Sequence, residues 1–128
     1  MLEHFEDLDV YQRSFELALT VHKLTLCFPD IEKEELGRQL RKASKSICAN
    51  IAEGFGRRQS SRDFKHFLVM ALGSADECQC HLKFAIELGY IDQIKGAELI
   101  ESFRISAKQL NRLNTVWRDL SSAKAAIK

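Results

Sequence analysis

The sequence predicts an all-α protein, an up-and-down four-helix bundle, on three observations. Pro29 is the only proline in 128 residues. No long stretch alternates apolar and polar residues with the two-residue period of a strand. Between the glycine, proline and capping residues, apolar side chains recur at steps of three and four, as amphipathic helices require. The length suits one domain with a sizeable core. A composition of 45% apolar and 29% charged residues argues against both a disordered chain and a coiled-coil rod.

The first helix runs from about Asp9 to Cys27 and stops at Phe28-Pro29, since proline disfavours helical geometry in the residue before it. The second begins between Asp30 and Arg38 and ends near Phe55, where Gly54 and Gly56 terminate it. Its apolar stripe is Leu36, Leu40, Ala43, Ile47, Ile51 and Phe55. Ser60 caps the third helix, with Asp63 at the positive end of the dipole, giving a start at Ser61. Phe64, Phe67, Leu68, Ala71, Ala75, Cys78, Leu82, Ala85 and Leu88 form the third stripe, and Gly89 supplies the stop. Asp92 caps the last helix, whose face is Ile94, Ala97, Ile100, Phe103, Ala107, Leu110, Leu113, Trp117 and Leu120. The bundle domain thus spans residues 1–120, followed by a polar tail at 121–128. Short connections favour the up-and-down arrangement.

The first helix is more apolar than a lone bundle needs. Val10, Leu17, Val21, Leu24 and Phe28 line one face, Tyr11, Phe15 and Ala18 the next, and Leu19 and Leu26 a third. The excess predicts burial by another subunit, with Leu19 and Leu26 as the oligomer contact and Leu17 and Leu24 turned to the protomer core.

The net charge of +1 hides an asymmetry. Residues 1–37 carry three basic and nine acidic side chains, net −6; residues 38–65 carry eight and two, net +6; the remainder is nearly balanced at +1. The middle block suits a polyanion, or the acidic first block of a neighbouring chain. No run approaches the ~18 apolar residues of a membrane span. Met1 to Asp9 carry four acids where a signal peptide would carry lysines, so a cytoplasmic location is expected. Cys27, Cys48, Cys78 and Cys80 read as reduced thiols on helices. Cys78, Cys80 and His81 cannot close on one metal ion, because helical residues two apart point about 200° apart.

No nucleophile, base and stabiliser converge, so neither an active site nor a cofactor is expected. Gly54-Phe55-Gly56 lacks the third glycine and the flanking strand of a dinucleotide loop. His22 and His81 fall on or beside core stripes, and His66 faces solvent. Ser46, Asn50, Glu53 and Arg57 stack on one helix face at steps of four, three and four. A hairpin of the second and third helices about residues 57–60 sets positions summing to about 117 opposite each other. That register puts Ala43 against Ser74, and Leu40 and Arg41 against Glu77, whose carboxylate would need Arg41 or Arg38 as a partner. Ser46, Asn50, Glu53, Ser74 and Glu77 therefore read as structural. The start of the third helix at Ser60 and Ser61, flanked by Arg57, Arg58 and Arg62, is either an anion site or a solvated basic turn.

Three stretches, "FEDLDVYQRSFELA", "QLRKASKSICANIAEG" and "FLVMALGSADECQCHLKFAIELGYI", resemble in order and spacing the four-helix bundle family associated with intervening sequences in bacterial 23S rRNA genes. The match covers roughly residues 5–120, and Asn50-Ile51-Ala52-Glu53-Gly54 followed by Gly73-Ser74 and Glu77 is its most specific part. The family also resembles the accessory proteins of diversity-generating retroelements, barrel-like homopentamers that bind nucleic acid and a reverse transcriptase. The resemblance therefore implies a pentamer of four-helix protomers, with nucleic acid and a reverse transcriptase as partners. Tyr11, Cys48 and Gly37 depart from the family pattern, which usually has tryptophan, proline and a capping serine or threonine there. Gly37 can still cap, with the second helix then starting at Arg38.

The resulting expectation is a non-enzymatic, oligomeric scaffold associated with RNA or DNA. Its basic surface would comprise Arg38, Arg41, Lys42, Lys45, Arg57, Arg58, Arg62 and Lys65. The alternative is a protein-interaction or structural module in which this block meets an acidic neighbour.

Overall fold

The computed structural model describes the backbone of residues 2–127 and the side chains of residues 2–117. A 3-10 turn at Phe5–Asp7 leads into α1 (Asp9–Thr25), a short α2 (Asp30–Glu34), α3 (Leu36–Gly56), α4 (Ser61–Glu87) and α5 (Gln93–Ile127). No strand occurs among the described residues. The chain is all-α, and its four long helices form the bundle that the periodicity predicts. α3 packs along α4, α4 along α5 and α1 against α3, with a sparser contact from α1 to α5, so that α1 and α4 lie at diagonal corners. None of the described helices is long and apolar enough to cross a membrane.

The caps behave as their chemistry dictates. Ser60 Oγ accepts from the Asp63 amide at 3.2 Å and starts α4 at Ser61. Gly89 has φ +79°, the left-handed geometry in which a glycine ends a helix without strain. Asp92 accepts from the Ile94 amide at 2.8 Å at the start of α5. α1 ends at Thr25, two residues before the expected Cys27, with Phe28 buried beneath the turn.

The second helix starts and ends where expected, at Leu36 and Gly56, but Gly37 and Gly54 do not play the roles expected of them. A break at Glu35, with φ −104° and ψ −94°, separates α2 from α3. Gly37 is therefore not a cap but a buried residue of the first turn of α3. A Cβ there would sit 2.9 Å from the Glu32 carbonyl oxygen and 3.4 Å from Thr25 Cβ, so its smallness lets α2 fold back over α3. Gly54 likewise terminates nothing. It lies inside α3, buried, where an added Cβ would be 2.7 Å from Phe67 Cβ and 3.1 Å from Phe64 Cδ1. The glycine allows α3 and α4 to approach closely just before the turn. α3 ends at Gly56 without any left-handed residue.

The core follows the predicted stripes along most of their length. Leu40, Ala43, Ile47, Ile51 and Phe55 of α3 meet Phe64, Leu68, Ala71, Ala75, Cys78, Leu82 and Ala85 of α4, all buried. Phe64 stands edge-on between Phe55, at 6.2 Å, and Trp117, at 4.7 Å. On α5 the face is right from Ile100 onward but wrong in the first turn. Ile94 is 74% exposed and Ala97 is exposed, while Gly96 and Leu99 face inward. Gly96 sits directly against the Ile86 side chain of α4, which would have to move to admit a Cβ there. Leu88, expected in the core, is exposed at the end of α4. Leu120 and the expected division at residue 121 lie outside the described side chains.

Candidate nucleic-acid interface

The basic block does not present eight equivalent cations. Arg41 turns inward: its guanidinium donates to Thr25 Oγ1 at 2.9 Å and to the Lys33 carbonyl at 2.7 Å. It thereby ties α1, α2 and α3 together, a structural use of a fork of donors. Arg57 pairs with Glu53 at 2.9 Å and lies over the Phe67 ring. Arg58 covers the Phe55 ring at 4.1 Å and donates to the Phe55 carbonyl at 2.9 Å. Both arginines of the turn are thus held against the bundle end, with their charge directed outward only in part.

Five cations are left for a partner. Arg38, Lys42, Arg62 and Lys65 have no hydrogen bond or ion pair to any described residue, and Lys45 contacts His22 Nδ1 at 3.1 Å. Arg38, Lys42 and Lys45 are spaced by four and three, which aligns them on the exposed face of α3 over about 10 Å of helix. No carboxylate occurs between Leu36 and Ala52, so nothing on that stretch of helix neutralises the row. Arg62 and Lys65 stand at the start of α4 beside Asp63, at the far end of α3 from Arg38, and so lie apart from this row.

The polar residues of α3 separate into two groups. Asn50 Nδ2 donates to the Ser46 carbonyl at 2.9 Å and to Ser46 Oγ at 3.1 Å, and Ser74 Oγ on α4 donates to Ser46 Oγ at 3.1 Å. This chain of hydrogen bonds fastens α3 to α4. Glu53 instead makes only the surface pair with Arg57. The Ser46–Ser74 contact sets the hairpin register near 120 rather than 117, so Ser74 does not face Ala43. The expected partnership of Glu77 also fails. Its side chain is 52% exposed and pairs with His81 at 3.0 Å, one turn along its own helix. An exposed carboxylate needs no guanidinium from α3, and Arg41 is already engaged.

His22 is partly buried against Lys45, His81 is partly buried against Glu77, and His66 is exposed beside Phe67. Burial raises the Cys48 thiol to about 11 and drives Cys78 higher still, so both are neutral thiols at physiological pH. Cys27 and Cys80 are exposed, and none of the four is in a disulfide. No three metal-binding side chains cluster among the described residues.

Leu17 is buried and Leu24 packs partly on the core, whereas Leu19 and Leu26 are 42% and 51% exposed, as expected of residues a lone bundle leaves uncovered. Phe15, 43% exposed, extends the same stripe by one turn. Two features escaped sequence reasoning. One is a pair of exposed apolar patches on α4, Val69 and Met70 in its first half and Phe84 and Leu88 at its end. Only the step from Phe84 to Leu88 has helical spacing, so no periodic stripe announced these residues. The other is a groove of about 400 Å³ between α1 and α3, lined by Tyr11, Phe15, Ala18, Leu19, His22, Lys45 and Cys48.

The comparisons agree with this architecture. A crystal structure of a protein of unknown function from the S23 ribosomal protein family of Bacteroides thetaiotaomicron VPI-5482 superposes with a TM-score of 0.74. It is 25% identical and is covered over 95% of its own length and 83% of this chain. A comparison with curated proteins gives no match. The family model described as 23S rRNA-intervening sequence protein matches residues 6–112. Its span takes in the Ser46–Asn50–Ser74 bonds, the close approach at Gly54 and the basic face of α3, and the chain therefore belongs to the 23S rRNA-intervening sequence protein family.

Proposed function

We propose that this protein is a non-enzymatic, self-associating helical scaffold that binds RNA or DNA through the outward face of α3. The row Arg38, Lys42 and Lys45, exposed and free of intervening carboxylates, is the observation that carries the reading. Such a row attracts a phosphate backbone without regard to sequence, and Arg62 and Lys65, at the other end of the α3–α4 hairpin, offer a second cationic site to a long polyanion. The family's name refers to 23S rRNA, and the structural neighbour's refers to a ribosomal protein family, which favours RNA as the polyanion. Arg41 supports the surface from within, while Arg57 and Arg58 are engaged at the turn with Glu53 and Phe55.

Self-association is favoured by the apolar side chains left uncovered at diagonal corners of the bundle. Val69, Met70 and Phe84 on α4 and Leu26 at the end of α1 are two different faces, as the head-to-tail contacts of a closed ring require. A ring would also multiply the basic faces and so raise avidity for one long polyanion. Titration of a labelled RNA at low salt tests the binding, and light scattering tests the assembly. Absence of binding at low and at physiological salt removes the nucleic-acid reading. A protein partner recovered after nuclease treatment supports the interaction-module alternative instead.

A further inference from the structure

We propose that the groove between α1 and α3 stacks an unpaired base on Phe15, so that the protein prefers single-stranded to double-stranded nucleic acid. The inference rests on the nucleic-acid reading above and names the form of polyanion that this surface takes.

The sequence places aromatic residues at positions 5, 11 and 15, and the fold turns them into a ladder running out of the core. Phe5 meets Tyr11 edge-on at 4.8 Å, and Tyr11 stacks with Phe15 at 5.9 Å and 27°. Phe5 and Tyr11 pack partly against the core, while Phe15 ends the ladder and is exposed to solvent. A ring fixed from one side and open on the other is a stacking platform, since every base has a π-face to offer. The groove's volume, about 400 Å³, is within the range of small-ligand sites.

Charge separates this groove from two other clefts of the bundle. The cleft between α1 and α5 sets Asp9 and Glu16 beside Arg13, and the one beside the N-terminal turn sets Asp7 and Asp9 beside Arg112. In both, carboxylates outnumber cations, which disfavours a phosphate. The α1/α3 groove contains no carboxylate, and Lys45 lines it beside His22. Lys45 also belongs to the row with Lys42 and Arg38, so one strand can lay its phosphates along α3 while a base turns into the groove. The remaining lining supports this occupant: Ala18, Leu19 and a neutral Cys48 thiol offer an apolar floor to a base plane. A duplex has its bases stacked internally and cannot supply one without unpairing.

The test compares an oligothymidylate of about 12 nucleotides with a duplex of the same length by fluorescence anisotropy, a length within the usual single-strand site size. Phe15→Leu keeps an apolar side chain and removes the stacking ring. It should weaken single-strand binding by roughly 5- to 150-fold while changing duplex binding by no more than about twofold. Phe15→Trp should retain the wild-type preference. A 2-aminopurine placed in the strand should be quenched by the wild type and not by Phe15→Leu, with circular dichroism confirming equal helicity. Wild-type binding with an unchanged strand preference in Phe15→Leu overturns this proposal alone. So does a drop in oligomer size on that substitution, because the groove is then a contact between copies. Failure of the wild type to bind either oligonucleotide overturns the nucleic-acid reading together with this one.

Discussion

Replacing Gly54 by alanine tests whether the close approach of α3 and α4 fixes the bundle. The added Cβ would stand 2.7 Å from Phe67 Cβ, an atom attached to the backbone that no rotamer change can move, and 3.1 Å from a Phe64 ring carbon buried at 0% exposure. Overpacking of this kind costs about 1–3 kcal/mol. The helix-propensity gain of alanine over glycine, about 1 kcal/mol, offsets part of it. The net is a destabilisation of up to about 2 kcal/mol, or a fall in Tm of up to roughly 8 °C for a domain of this size. Gly73 provides the matched control. It is also within a helix, with nothing within 4 Å of an added Cβ and without a positive φ, so Gly73→Ala gains propensity without the clash. That variant should melt roughly 2–4 °C above wild type. Thermal melts followed by circular dichroism decide the matter: a Gly54→Ala protein melting above the wild-type temperature refutes the packing argument.

Other predictions address single links. Ser46→Ala and Ser74→Ala should show a coupling of about 0.5–1.5 kcal/mol in a double-mutant cycle by chemical denaturation, and additive effects would mean that their 3.1 Å hydrogen bond contributes nothing. Asp92→Ala should cost about 1 kcal/mol through loss of the cap on α5, read from the same denaturation curves. A thiol reagent should modify Cys27 and Cys80 first and reach Cys78 only on unfolding, a sequence that peptide mapping resolves. The backbone amides of His4 and Glu3 hold the Asp7 carboxyl below its usual 3.8. Because the folded value is the lower one, its contribution to the N-terminal turn is present at neutral pH and is lost as pH falls through that value. NMR titration should place the Asp7 midpoint below 3.8.

Much of the fold was legible because side-chain periodicity and capping chemistry act locally. Ser60, Gly89 and Asp92 can be assigned from their own chemistry, and the α3 and α4 stripes from spacing alone. What could not be read depends on distance between helices. Gly37, Gly54 and Gly96 look like breakers or neutral residues in sequence, yet each marks a place where another element comes too close for a Cβ. The first turn of α5 was rotated wrongly because Ile94 is the more apolar residue, whereas Gly96 is the one that fits against Ile86. The candidate site was legible as a charge block but not as a surface. Composition counts Arg41 with Lys42, and only the fold directs one to Thr25 and leaves the other in solvent. The α1 wall of the groove beside Phe15 was legible as the apolar face of Tyr11, Phe15 and Ala18, but its pairing with Lys45 and Cys48 of α3 was not.

The dependence of RNA affinity on salt, measured for the wild type and for the Arg38→Gln, Lys42→Gln, Lys45→Gln triple variant, tests the proposed role of α3 most directly. Three phosphate contacts on a single strand correspond to a log–log slope of about −2. Between about 50 and about 200 mM salt the wild type should therefore lose roughly 20-fold in affinity per engaged protomer through these residues. The triple variant should bind more weakly at low salt and show a slope shallower by about 2 units. A variant with the affinity and the slope of the wild type would contradict the assignment of nucleic-acid binding to the outward face of α3.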